Sequence, residues 1–78
     1  MIHSIKISPK YFDAVETGIK PFEVRKNDRP FAVGDVLSLN EWDGEKYSGR
    51  YTNKAITYIL DDREYCVEGY VILGLKNA

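Results

Sequence analysis

Cys66 is the only cysteine in this chain of 78 residues, so no internal disulfide can stabilise the fold. Small secreted domains usually depend on such cross-links, so a reducing compartment fits this chain better. A domain of this size buries only about 60% of the surface that its unfolded chain exposes, so its core must be compact. Hydrophobic residues make up 44% of the chain, enough for one core and too many for a disordered segment. We therefore predict a single domain over residues 1–78.

The chain also lacks the apolar segments that direct proteins into or through membranes. Its first residues contain no apolar run typical of a signal peptide, and no run approaches the roughly 20 residues that a membrane span requires. We expect a cytoplasmic protein without a membrane partner.

Turn residues divide the chain into one helix and five short strands. Ser8 followed by Pro9 is a typical helix start and Gly18 a typical stop, which predicts a helix from Pro9 to Thr17. Period-two spacing and β-forming residues predict strands at 2–7, 22–25, 36–42, 51–60 and 70–75. The order predicts a mainly β (α+β) fold, a small and partly open barrel of about five strands with the helix after the first strand.

Periodicity also predicts which side chains face the core. The apolar side of the helix should pack on the sheet, and its members are Tyr11, Phe12, Val15 and Ile19. In the next strand we expect Phe22 and Val24 to point into the core. This places Glu23 and Arg25 together on the opposite, outer face.

Charge is segregated along the chain although the net charge is only −1. Residues 20–29 contain four basic and two acidic side chains, whereas residues 61–68 contain four acidic side chains and one basic. A near-neutral chain is not a general polyanion binder, but a local basic cleft is compatible with this distribution.

Several chemistries lack the residues that they need. One histidine and one cysteine cannot form a structural zinc site, and no glycine-rich phosphate or dinucleotide loop occurs. We expect no metal and no cofactor. Cys66, between Tyr65 and Val67, is expected to be a small hydrophobe near the core, and His3 a hydrogen-bonded structural residue.

The charged segment from Gly18 to Arg29 is the main candidate for function. Its Lys20, Glu23 and Arg25 place one carboxylate between two cations. Arg25 can bind a phosphate or base edge in bidentate fashion, Lys20 supplies a point charge, and Glu23 can accept from an exocyclic amine. The alternative is a solvated row of ion pairs on the outside of a strand, which contributes little.

These residues match Gly-x-Lys-x-x-Glu-x-Arg, and the chain thereby resembles ASCH domains, which belong to the PUA-like barrels. It is most similar to a DUF3850-like family of short bacterial and phage proteins of unknown function. There the motif continues into Lys-Asn-Asp-Arg and Phe-x-x-Gly-Asp, found here at residues 26–29 and 31–35. The similarity extends over about residues 2–76.

This resemblance implies a barrel that binds RNA, or a nucleotide-like ligand, in a cleft beside the helix. Gly18 would make the close turn, and Lys20, Glu23 and Arg25 would face the ligand. We also expect Lys26, Asn27 and Arg29, in the continuation of the motif, among the binding residues. Trp42 and Tyr47 could stack an unpaired base, with Arg50 on the RNA backbone. The ordinary alternative is that these aromatic residues simply pack at strand ends.

Two other functions stay open. Some small ASCH relatives are amidohydrolases of acylated cytidine, with a catalytic motif lysine, a hydroxyl residue three positions later and a distant carboxylate. Lys20 and Glu23 are then the catalytic candidates, with Glu64 or Glu68 as the distant acid, but Glu23 replaces the hydroxyl. Its carboxylate favours a charged ammonium, which is neither base nor nucleophile. The third possibility is a protein-interaction domain of a phage or mobile element.

Overall fold

The computed structural model describes residues 1–78 and contains one helix and five strands. The elements are β1 (Ile2–Ile7), α1 (Pro9–Glu16), β2 (Phe22–Lys26), β3 (Val36–Trp42), β4 (Tyr47–Leu60) and β5 (Tyr70–Asn77). The predicted class is confirmed: a mainly β fold with a single helix after the first strand. β4 begins four residues earlier than predicted, because Tyr47 pairs with Trp42 directly after the turn at 43–46.

The five strands form one curled sheet, a half-barrel, in the order β1-β3-β4-β5-β2. β1 pairs with β3 in parallel, and every other pair is antiparallel. β1 and β2 are therefore the two edges. Side chains bridge these edges: Arg25 on β2 and Arg29 just after it donate hydrogen bonds to the carbonyl oxygens of Lys6 and Ser4 on β1. The charged segment from Gly18 to Arg29 thus borders the gap of the half-barrel.

The core comes from the alternating inward residues of the strands and from one side of α1. Its ten members are Ile5, Ile7, Phe12, Val15, Leu37, Leu39, Ile56, Val71, Leu73 and Leu75. The Ser8 hydroxyl caps α1 by accepting from the Lys10 amide at 3.2 Å. Gly18, with φ of 85°, then reverses the chain towards β2.

Two of the four residues predicted to pack on the sheet from the side of α1 are exposed. Phe12 and Val15 are buried, but Tyr11 is 42% exposed and Ile19, beyond the end of the helix, is 83% exposed. The buried stripe of this short helix therefore consists of Phe12 and Val15 alone.

The two faces of β2 are the reverse of those predicted. Glu23 is only 4% exposed and Arg25 is half-buried, whereas Phe22 and Val24 are exposed. Alternation correctly separates the two sets, but it does not say which set faces inward. Here the inner face of β2 borders the barrel gap, where neighbouring cations can pair with a carboxylate, so the polar set faces inward.

Candidate functional site

A cavity of about 450 Å³ opens between β2 and the junction of β1 with α1. Three of its lining residues are the predicted Lys20, Glu23 and Arg25, so the structure brings these side chains to one concave surface. The other lining residues are Ile7, Ser8, Tyr11, Phe22 and Val24. We call this space the first compartment.

The three charged groups form one ion-paired cluster with the carboxylate at its centre. Glu23 Oε1 lies 2.9 Å from Lys20 Nζ, and Glu23 Oε2 lies 3.5 Å from Arg25 Nη1. Lys20 also donates to the Phe22 carbonyl, and Arg25 to that of Lys6 at 2.9 Å. The Glu23 carboxylate is held in place, while both cations keep part of their surface exposed to the cavity.

Two aromatic rings flank the ammonium of Lys20. Its Nζ lies 4.9 Å from the ring centroid of Tyr11 and 4.9 Å from that of Phe22, within cation–π range. Both residues are about 40% exposed. Sequence reasoning missed them because it assigned both to the core. If the charged side of β2 had been predicted to face inward, period-two alternation would have placed Phe22 on the outer side, where it borders the cavity.

A second compartment of about 210 Å³ continues the gap between β1 and β2. It is lined by Ser4, Ile5, Lys6, Arg25, Arg29 and Tyr47, so Arg25 borders both compartments. The Tyr47 ring packs against that of Trp42, with centroids 4.7 Å apart, and Lys6 Nζ lies 4.3 Å from the Trp42 ring. The predicted Arg29 and Tyr47 therefore lie beside Arg25, and Trp42 supports Tyr47.

The other predicted contact residues lie elsewhere. Lys26 and Asn27 line neither compartment. The backbone N–H of Asn27 donates to the carbonyl oxygen of Gly69 at 2.8 Å. Gly18 borders another cavity, which is also lined by Lys54 and by Lys20, so Lys20 separates it from the first compartment.

Arg50 belongs to an ion network that fixes α1 to the sheet. Its guanidinium donates to both carboxylate oxygens of Glu41, to Asp13 on α1 at 3.0 Å, and lies 4.4 Å from the Phe12 ring centroid. Glu41 also accepts from the Ser48 hydroxyl. The hydrogen bonds from Arg50 and, to a lesser extent, the one from Ser48 lower the pKa of Glu41 from 4.5 to about 2.

The low pKa of Glu41 predicts loss of stability in acid. A carboxylate whose pKa is depressed by folding stabilises the protein above its unfolded pKa, and that contribution is lost as the pH falls through the folded pKa. The free energy of unfolding should therefore fall between pH 4.5 and about 2, and Glu41→Gln should flatten this fall. Urea denaturation at several pH values measures the slope of the free energy of unfolding against pH. Glu45→Gln, which removes an exposed carboxylate, should keep the wild-type slope, and an equal slope in Glu41→Gln would contradict the assignment.

His3 lies on the core side of β1 rather than in either compartment. Its Nε2 lies 2.8 Å from Asp35 Oδ2, and its ring meets that of Phe31 edge-on. The hydrogen bond from His3 lowers the pKa of Asp35, which also accepts from the Ala32 amide. His3 therefore anchors the turn before β3, as a structural histidine would.

Neither a metal cluster nor a membrane helix occurs in the structure. No group of three or more His, Cys, Asp and Glu side chains is arranged to hold a metal ion. No helix combines the length and apolar character needed to cross a membrane.

The sequence of this chain is similar to those of proteins of unknown function. The profile of a family described as "Domain of unknown function (DUF3850)" matches residues 2–75. A protein of Escherichia phage P2, described as "Uncharacterized 12.9 kDa protein in GpA 3'region", is 42% identical over 72 residues. The alignment covers 92% of this chain and 65% of the phage protein, so the chain spans about two-thirds of that relative's length.

Proposed function

This chain belongs to the DUF3850 family, and from that premise we propose that it binds single-stranded RNA, or a nucleotide-like ligand, in the first compartment. The proposal includes an ASCH-type, PUA-like relationship for the half-barrel. It also includes a cytoplasmic location, where Cys66 would stay reduced.

The convergence of Lys20, Glu23 and Arg25 on one cavity carries this proposal. Arg25 and Lys20 can bind a phosphate, and the fixed Glu23 carboxylate can accept from an exocyclic amine of a base. Exposed rings at Tyr11 and Phe22 can stack an unpaired base, as proteins that recognise single-stranded RNA do. A volume of about 450 Å³ lies within the range of small-molecule sites and suits one nucleotide.

The contacts of Lys20 favour binding over amide hydrolysis. Its Nζ already donates to Glu23 Oε1 at 2.9 Å and to the Phe22 carbonyl at 3.2 Å, so these contacts hold the amine away from the free position that attack on a carbonyl requires. Glu64 and Glu68, the distant acids predicted for a hydrolase, lie on the exposed segment after β4 and do not line the cavity. The binding proposal needs no such acid.

A double variant tests the proposal directly. We expect Lys20→Ala, Arg25→Ala to weaken binding of a labelled single-stranded RNA by at least about tenfold, because each charge-assisted contact contributes roughly 1.5–3 kcal/mol. Fluorescence anisotropy at two salt concentrations measures the affinity, and wild-type binding should weaken as salt rises.

A matched control separates the effect of the first compartment on RNA binding from the effect of overall charge. Arg63→Ala, Lys76→Ala removes the same charge outside the first compartment and should bind as the wild type does. Adding Glu23→Gln to the Lys20→Ala, Arg25→Ala variant avoids leaving a buried carboxylate without its two cations. Thermal denaturation verifies that the double and triple variants fold. Wild-type affinity in these folded variants would exclude the first compartment as the binding site. A product from acylated cytidine, absent without enzyme, would favour the hydrolase instead.

A further inference from the structure

We propose that the two compartments form one continuous site for a pair of linked nucleotides, with a phosphate at Arg25 on their shared wall and the next phosphate at Arg29. This inference rests on the proposed function and specifies its ligand: a segment of single-stranded nucleic acid two nucleotides long. The first compartment would hold a base, and the second would hold the adjoining nucleotide against Tyr47.

The arginine positions support a two-phosphate register. Arg25 and Arg29 are anchored on the carbonyls of Lys6 and Ser4, two residues apart on β1 and thus separated by about 7 Å. Successive phosphates of an extended single strand can match this separation. Both anchoring bonds use Nη1, and the neighbouring carboxylates approach other nitrogens or the same one: Glu23 lies 3.5 Å from Arg25 Nη1, and Asp28 lies 3.9 Å from Arg29 Nε. The guanidinium has five N–H donors, so Nη2 of each arginine can donate to a phosphate.

The two compartments differ in the charged side chains that line them, as expected if one binds a base and the other a phosphate. The first contains the only carboxylate, Glu23, and can therefore select a base that carries an exocyclic amine. The second contains three cations and the half-exposed ring of Tyr47, but no acid. It is suited to a phosphate and to stacking that tolerates any base.

A purely structural role for the arginines is the competing explanation. Their side chains cover the open edge of β1, which would otherwise present unpaired carbonyls. A role limited to closing the half-barrel predicts that Arg29→Gln lowers stability and changes the affinity for one nucleotide and for two equally. The binding role predicts a selective loss for the longer ligand.

The test compares cytidine 5′-monophosphate with the 5′-phosphorylated dinucleotide pCpC, since cytosine can donate its amine to Glu23. Trp42 is the only tryptophan and packs on Tyr47, so its fluorescence reports filling of the second compartment. We expect pCpC to bind about tenfold more tightly than the mononucleotide. The logarithm of its affinity should fall with the logarithm of salt concentration with a slope of about −1.4, against about −0.7 for one phosphate.

Variants of the second compartment complete the test. Arg29→Gln should weaken pCpC by about tenfold and leave the mononucleotide unchanged, whereas Arg63→Gln, an equal charge change outside the cleft, should alter neither. Tyr47→Ala is a second variant for the case in which Arg29→Gln folds poorly. It should likewise weaken the binding of pCpC and leave that of the mononucleotide unchanged. Equal affinities for the two ligands, or equal losses in these variants, would overturn the two-nucleotide site and leave the proposed function intact. Failure of both ligands to bind would overturn both proposals.

Discussion

Phe12→Ala is expected to lower the free energy of unfolding by about 3–5 kcal/mol. Phe12 has no exposed surface, belongs to the single core cluster and lies beneath the Arg50 guanidinium. A chain of this length has a total stability of roughly 4–12 kcal/mol, so the substitution should remove a large part of it. Chemical denaturation followed by Trp42 fluorescence measures the change.

Tyr11, the neighbouring residue on α1, provides the matched control for stability. Because Tyr11 is 42% exposed, Tyr11→Ala should change the free energy of unfolding by no more than about 1 kcal/mol. Phe12→Leu fills most of the same volume and should cost less than about 1.5 kcal/mol. A loss below 1 kcal/mol in Phe12→Ala would mean that α1 does not pack on the sheet as described.

The same Tyr11→Ala substitution is expected to weaken nucleotide binding by about 5- to 150-fold. Stacking of a base on an aromatic side chain contributes roughly 1–3 kcal/mol, which corresponds to that range of affinity. The ring borders the first compartment, with the Lys20 ammonium 4.9 Å from its centroid. Isothermal titration with cytidine 5′-monophosphate measures the loss, which should appear without a matching loss of stability.

Two further variants show whether the ring itself is responsible. Tyr11→Phe keeps the stacking surface and should retain nearly all of the affinity. Tyr65→Ala removes a more exposed tyrosine outside the first compartment and should bind as the wild type does. Wild-type affinity in Tyr11→Ala would place the base away from this ring, and an equal loss in Tyr65→Ala would show that the effect is not local.

Much of the fold follows from local sequence patterns. The Ser8–Pro9 start and the Gly18 stop located α1 to within one residue, and β-forming runs located all five strands. These signals act within a few residues, because caps and turns depend on adjacent backbone groups. The grouping of Lys20, Glu23 and Arg25 was also predictable, since Glu23 and Arg25 share one side of β2 and Lys20 lies two residues before this strand.

Long-range pairing determined what the local pattern left open. The sequence predicted the wrong inward face for β2, because period-two alternation is unchanged when a strand is turned over. It placed Arg50 with the RNA-binding residues, whereas the pairing of β3 with β4 brings this guanidinium to Glu41 and Asp13. It also assigned Tyr11 and Phe22 to the core, since periodicity identifies an apolar side chain but not the element that covers it.

The residues near each other in sequence were thus sufficient to establish the elements, their order and a charged segment worth testing. Which side of that segment faces a cavity, and which distant residues join it, depended on how the sheet curls to bring β1 opposite β2. Curling arises from strand twist and from packing across the whole core, so it is a property of all five strands together and of no single stretch of the chain.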